Sequence, residues 1–437
     1  MMRSIAATIS LLLLGYCSAL AYTKLSTKVY QSDGSASDTQ AAIDAASDGY
    51  TVQIPNGTYT WNSEVGIWTK AIHLMAQSPG GVTINDPDTA TDMLGINEAL
   101  GGSVELSGIN FSSPDNNVYG FMVHVFHVEG GKPVLLHDCT FSSGYRYALG
   151  WTTNGGVIWN CTFRGHMLSG ISFVWTLAPL SAWNSPSTFG MDEVNGTANT
   201  YVEDCTFTDS ETGCINNDDN TRVVLRHNTF KDAAVSGHGQ ETGTWGARAF
   251  EVYDNTFIYD SSGTTWDGRS YPLGLNYWFM MRGGTGTIAN NVCPDIPGKS
   301  GILLTVFSIN RATAILPCQT SYPAARQIGQ SWKGAGGYSY PNVPQDGTGY
   351  YTDPIYIWGN TGTGSTQPNF VGLDQYTPDD CGNGQKVADY VKLGRDYILG
   401  AKPGYTPYTY PHPLRNSVHS VLATTTLRPP QNVRIAH

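Results

Sequence analysis

The tetrapeptide Asp138-Cys139-Thr140-Phe141 returns as Asn160-Cys161-Thr162-Phe163, Asp204-Cys205-Thr206-Phe207, His227-Asn228-Thr229-Phe230 and Asp254-Asn255-Thr256-Phe257. Gly108-Ile109-Asn110-Phe111 precedes it as an echo, and Asn290-Asn291-Val292 follows. From Cys139 to Asn255, the Cys/Asn position advances by 22, then 44 (twice 22), then 23 and 27 residues. Each copy closes a β-type run and leads into a polar turn. One strand-and-turn phrase per ~22 residues is the signature of a coiled solenoid. A single coil cannot bury its own apolar face, so the coils must stack.

This explains how 437 residues can form one elongated domain, because a solenoid grows along an axis and not around one expanding core. Only 14% of residues are charged, while 50 are Gly, 25 Tyr and 11 Trp, a composition that suits an all-β extracellular chain. Residues 1–21 read as a secretory signal: Arg3, an apolar run from Ile9 to Leu14, and the small-x-small site Ala19-Leu20-Ala21. That run is too short to span a bilayer, and no other stretch offers a span. The formal charge is −11. Nucleic acid is excluded as a partner because phosphate binding needs a basic footprint and none is present. Eight cysteines less Cys17 leave seven, an odd number. Cys139, Cys161 and Cys205 occupy the ladder position that Asn fills later and read as a buried stack. Cys318 and Cys381 are the best candidates for a bridge.

A helix beginning near Asp38, with Asp38 as its N-cap, precedes the first strands and would close the open end of the solenoid. Strands alternate with Gly/Asn/Asp/Ser turns from Ile72 to about Asn291, and Ile355 to Trp358 gives a late coil. The phrase Phe points into the core. Residues 174–199 form an inserted loop, and 386–399 offer a short helix. The proline-broken tail, Lys402 to Leu414, reads as an extended strap on the side of the solenoid. The expected division is 1–21 signal, 22–365 solenoid with its cap, and 366–437 C-terminal extension, with 421–437 disordered.

These features together resemble the right-handed parallel β-helix proteins of the pectin-lyase-like superfamily over roughly residues 38–365. The resemblance implies an all-β, right-handed parallel β-helix with an N-terminal capping helix and an irregular C-terminal extension. That superfamily contains polysaccharide lyases, glycoside hydrolases, epimerases, tailspikes and adhesins, so the fold leaves the activity open.

Stacking turns sequence offsets into columns. Asp218 lies 13 positions after Cys205 and Glu241 13 after Asn228, so equal registers would set them one strand spacing apart, ~4.8 Å. Asp219, His238, Asp267 and Arg269 fall beside them, and Trp151 and Trp175 continue the line. Two carboxylates flanking a scissile glycosidic bond are what its cleavage requires. Crowded acids separate their pKa values, and aromatic faces seat sugar rings. Asn217-Asp218-Asp219 and Gly237-His238-Gly239 resemble polygalacturonase motifs and lie about one coil apart. The resemblance implies acid/base roles for Asp218 and Asp219 with His238 assisting. That family's Asn-Thr-Asp and Arg-Ile-Lys are missing. Glu241 or Asp267 would supply the carboxylate, and Arg248, Arg269 or Arg282 the substrate clamp.

The expected catalytic set is thus Asp218, Asp219, His238 and Glu241, with Arg248, Arg269, Asp267, Trp151 and Trp175 binding a polysaccharide, uronate-containing in one version. Hydrolysis, slightly favoured, needs no cofactor. Elimination from a uronate would use calcium on Asp218, Asp219, Glu241 and Asp267. The alternative is a non-catalytic β-helix that binds glycans or mediates adhesion. Asn216 to Asn220 is also a good turn sequence, and Gly-His-Gly alone is more often a turn than a site. His137, His166 and His227, beside the phrases, read as turn residues.

Overall fold

The computed structural model describes residues 22–86, 92–113, 120–143, 147–153, 155–165, 169–174, 199–210, 214–218, 221–237, 247–260, 275, 277–297, 304–305, 328–332, 350–362, 371–373 and 387–416. Residues 1–21, expected as a signal, 421–437, the expected Cys318/Cys381 pair and His166 lie outside them. Among the described residues the chain winds through three sheets of thirteen, eight and nine strands, and successive coils contribute one strand to each in turn. Pairing within the coils is parallel and in register, as in Phe111↔Phe141, Phe141↔Phe163, Phe163↔Phe207, Phe207↔Phe230 and Phe230↔Phe257. This is a parallel β-helix.

The recurring phrase can be decoded residue by residue. Its first residue turns the corner between the first and second sheets in the left-handed region, with φ of 55° at Asp138, 52° at Asn160, 53° at Asp204, 57° at His227, 55° at Asp254 and 54° at Asn290. Asn and Asp tolerate this conformation best among residues with a β-carbon, and Gly108, at φ 74°, fills the same corner earlier. The second residue points into the corner. Cys139, Cys161 and Cys205 are buried thiols there. Below them runs an asparagine ladder: Asn228 Nδ2 donates to Asn255 Oδ1 (3.0 Å), Asn255 Nδ2 to Asn291 Oδ1 (3.0 Å) and Asn291 Nδ2 to Asn360 Oδ1 (2.9 Å). The Thr faces out. The Phe enters the core, where rings of adjacent coils stack with centroids 4.8 to 5.3 Å apart.

Helix α1, Ala36–Ala45, packs Ala42 and Ile43 on the first coils. Its N-cap is Ser35, whose Oγ accepts from the Asp38 amide at 3.2 Å, and not Asp38. Asp38 instead turns back to accept from the Asp33 amide at 2.7 Å. The offered C-terminal helix is a single turn, Val387–Tyr390, and Tyr397–Leu399 is a strand ending the first sheet. Residues 402–416 run across the outer face of that sheet. Tyr405 Oη donates to Glu251 Oε2 (3.0 Å), Tyr410 Oη to Asp204 Oδ1 (2.6 Å), and Arg415 Nη1 to Glu203 Oε2 (2.9 Å).

Candidate functional site

Strand alternation divides the third sheet into an inner and an outer face. Ile96, Val125, Trp151 and Phe173 form one inner column, each fully buried. Trp151 is therefore a core residue whose Nε1 donates to the Gly155 carbonyl at 2.8 Å. The expectation that it offers a surface platform is corrected: its offset was right, but that column faces inward. Asn217 continues the same column and is also buried, its Oδ1 accepting from Thr221 Oγ1.

The outer face holds Ser172, Asn216 and Ser236 on successive rungs, with Asn216 Nδ2 donating to Ser172 Oγ at 3.3 Å. Asp218 ends its strand, Ile215–Asp218, on the same side as Asn216 and is 7% exposed. The expected register with Glu241 is corrected as well. Phe173 opposite Asn217 keeps equal offsets from the ladder residues, 12 positions each. The next rung does not: Asn217 pairs with Gly237, only nine positions after Asn228. That coil takes a shorter path between ladder and third sheet, so Glu241 falls beyond the paired strand. Asp219, His238, Glu241, Asp267, Arg269 and Trp175 lie outside the described residues. Arg248 is wholly buried, its amide donating to the Thr221 carbonyl at 3.1 Å. It is not a surface group for substrate, and this expectation too is corrected. Arg222 is nearby: burial, then the Arg248 charge, lowers its pKa to about 10.

Toward the N-terminal end, the same outer face carries a feature the sequence count missed. Rings of Trp68, Phe126, His124, Phe121 and Tyr147 form a continuous row, with neighbouring centroids 6.1, 3.9, 4.5 and 5.4 Å apart. Glycines clear the floor beneath them. A β-carbon on Gly66 or Gly95 would fall 2.2 or 2.3 Å from the Trp68 indole, and one on Gly150 would fall 2.7 Å from Phe121. Two acids border the row. Asp92 accepts from His124 Nδ1 at 2.7 Å and from the Phe121 amide at 2.8 Å, which fixes the imidazole between two aromatic rings. Glu64 stands beside the Trp68 ring over Gly95, and its pKa is raised, by burial first and then by the Asp92 charge, against an opposing pull from His124. Trp68 is 43% exposed, an uncommon cost for an indole that binds nothing.

The turn from third to first sheet takes only residues 219–221 after Asp218, but the same turn takes 175–199 and 238–248 in other coils. The passage from second to third sheet expands at 259–278. Trp175, His238, Glu241, Asp267 and Arg269 all fall in sequence within these longer connections, outside the described residues.

No protein-family model matches the chain, and no curated protein matches it. Solved structures do resemble it. A PL6 family polysaccharide lyase from Pseudopedobacter saltans aligns at 12% identity and TM-score 0.42, over 78% of this chain and 77% of its own. The A-module of the Azotobacter vinelandii mannuronan C-5 epimerase AlgE4 aligns at 15% and 0.39, over 79% and 96%. A mannuronic acid specific family 6 polysaccharide lyase from human gut microbiota aligns at 15% and 0.38, over 79% and 83%. The coil architecture itself stands on the strand register.

Proposed function

We propose that this is a secreted polysaccharide-active enzyme whose substrate lies along the outer face of the third sheet and is cut at a glycosidic bond. The observation that carries this reading is the row Trp68, Phe126, His124, Phe121 and Tyr147, seated over bare glycines and bordered by Glu64 and Asp92. Flat apolar rings spaced along a strip suit the faces of successive sugars, and the carboxylates and imidazole suit their hydroxyls. Asp218 lies farther along the same face. In this reading the chain's acids divide the labour: the aromatic end holds the polymer, and Asp218, with its sequence neighbour Asp219 and with His238 and Glu241 from the connection 238–248, acts on the bond. One carboxyl protonates the leaving oxygen. Another activates water, or a base removes the ring proton in an elimination. Asp267 and Arg269 would contact substrate. A cation on Asp218, Asp219, Glu241 and Asp267 would neutralise a uronate carboxylate, which is the chemistry elimination needs.

The test is incubation with pectic, alginate and hemicellulosic polymers, with and without chelator. New reducing ends without ultraviolet absorbance identify hydrolysis, and an absorbing unsaturated product identifies elimination. Polymer binding without cleavage across the panel would replace the enzyme with a glycan-binding protein, to which the aromatic row is equally suited. Neither binding nor cleavage would end the proposal.

A further inference from the structure

A second set of chemically capable side chains sits on a different sheet. His73, Glu105 and His137 come from three successive strands of the first sheet, and their ligand-type atoms lie within 4.8 Å of one another. His73 Nε2 is 3.3 Å from Glu105 Oε1, and His137 Nε2 is 3.0 Å from that same oxygen. A tetrahedral cation with ligands at about 2.0–2.2 Å spaces its donors by roughly 3.3 Å. We propose that His73, Glu105 and His137 bind a divalent transition-metal cation, with zinc the best match, as a site that ties three rungs of the β-helix together.

The donor set selects the class of ion. Two imidazoles and one carboxylate suit zinc and its first-row neighbours. Calcium takes six to eight oxygens, and among the described residues the cluster's oxygens are those of Glu105 and the Ser107 hydroxyl, 2.7 Å from His73 Nε2, beside two imidazoles. The surroundings are organised as around a metal. Asp138 Oδ2 accepts from His137 Nδ1 at 2.7 Å, which fixes the tautomer whose Nε2 faces the cluster. Trp159 stacks on the other side of the His137 ring at 4.2 Å and locks its orientation. Glu105 and Asp138 together balance a dication. With exposures of 3% for His73, 1% for Glu105 and 9% for His137, the cluster is buried between three rungs, where a metal would hold structure. The sequence reading took His137 for a turn residue. The turn is made by Asp138, and His137 is the last residue of its strand, Leu135–His137.

The experiment strips the full-length protein with chelator, removes the chelator and titrates zinc by calorimetry, with cobalt as a spectroscopic substitute. The expected result is one saturable zinc per chain, a rise in Tm, and visible cobalt d–d absorption of a four- or five-coordinate site. His73→Gln and Glu105→Gln should each weaken zinc binding by about tenfold or more. His127→Gln removes a histidine paired with Glu98 elsewhere and should leave binding unchanged. Absence of stoichiometric zinc binding, or binding untouched by both site variants, would show an imidazole–carboxylate cluster and overturn the proposal. If the variants fail to fold, the wild-type cobalt spectrum decides alone: no d–d band overturns it. Polysaccharide cleavage lies on another sheet and is not a readout here.

Discussion

The indole of Trp68 lies over Gly95 so closely that a β-carbon there would stand 2.3 Å from Cη2 and 2.6 Å from Glu64 Oε1. The glycine therefore does for the site what an alanine cannot: it lets a half-exposed ring come down onto the strand. Gly95→Ala should lift the indole, and Trp68→Ala should remove it. A lost aromatic face is worth about 1 kcal/mol, so polymer affinity should fall about five- to tenfold in Trp68→Ala. Affinity electrophoresis on the polymer that the wild type binds gives the readout. Unchanged binding in both variants would remove the aromatic row from the site.

Asp218 is expected in catalysis and Arg248 in substrate binding, and their placements predict different defects. Asp218, on the outer face, should carry chemistry, and Asp218→Asn should lower kcat by about 10²–10⁴-fold with little change in KM. Arg248 is wholly buried. Arg248→Met should lower Tm and leave KM of the surviving folded enzyme near wild type. Steady-state kinetics beside thermal melts separates the two. A normal kcat in Asp218→Asn would exclude it from the catalytic set.

These two residues also mark how far the sequence could be read. The phrase was legible because one position needs positive φ, the next a small corner group and the fourth an inward ring. Asp138, Cys139 and Phe141 each announce their place by residue type alone. Column counting then worked wherever coils kept their length, from Trp151 through Phe173 to Asn217. It failed one rung later, at Gly237, where the coil shortens by three residues before the third sheet. Even a correct column does not say which face it lines, and Trp151 turned inward for that reason. The aromatic row stayed hidden for another reason. Trp68, Phe121 and Phe126 come from coils that lack the full phrase, Tyr147 from the first coil that has it, and their glycine floor has no meaning until strands are paired.

The asparagine ladder should be expensive to interrupt. Asn255 Oδ1 accepts from both the backbone N and the Nδ2 of Asn228, while its own Nδ2 reaches Asn291 and two backbone carbonyls. Asn255→Ala takes the acceptor from the Asn228 backbone N and Nδ2 and the side-chain donor from the Leu225 carbonyl, while Asn291 Oδ1 keeps the Asn255 backbone N, at about 1–3 kcal/mol for each buried group left without a partner. The prediction is a loss of roughly 3 kcal/mol or more in urea unfolding. A loss under about 1 kcal/mol would mean the ladder is tolerant, with water replacing the amide.

Asp232 makes stability depend on pH. Its Oδ1 accepts from the Asp260 amide at 2.7 Å, its Oδ2 is buried without a hydrogen-bond partner, and burial, with the nearby Asp260 charge, raises its pKa to about 6. The folded-state pKa lies above the unfolded value near 3.9, so the folded chain holds the proton more tightly. This contribution is complete below about pH 4 and is lost as pH rises through about 6. Asp232→Asn is neutral throughout and keeps the Oδ1 acceptor. Its Tm, relative to wild type, should climb between pH 4 and pH 7, and a constant difference over that range would show that Asp232 titrates normally.

The last prediction concerns the segment lying on the first sheet. Arg226 is wholly buried: it pairs with Glu203, donates to Tyr253 Oη at 2.9 Å, and donates to the carbonyls of Tyr408 at 2.8 Å and Thr409 at 2.7 Å. Glu203 in turn accepts from the His412 amide at 3.1 Å and from Arg415 at 2.9 Å. The segment thus closes a charge pair that water would otherwise reach, and the pair supplies donors that the segment's backbone needs. Arg226→Met leaves Glu203 and two carbonyls buried without their main partner, and should cost about 3–5 kcal/mol. Arg415 is partly exposed, and Arg415→Ala leaves the Glu203–Arg226 pair intact, so its cost should stay near 1 kcal/mol. In the double variant the two losses should fall short of their sum, because both act through Glu203. Urea midpoints of the three variants make the comparison, and strict additivity would show that the segment and the sheet are stabilised independently.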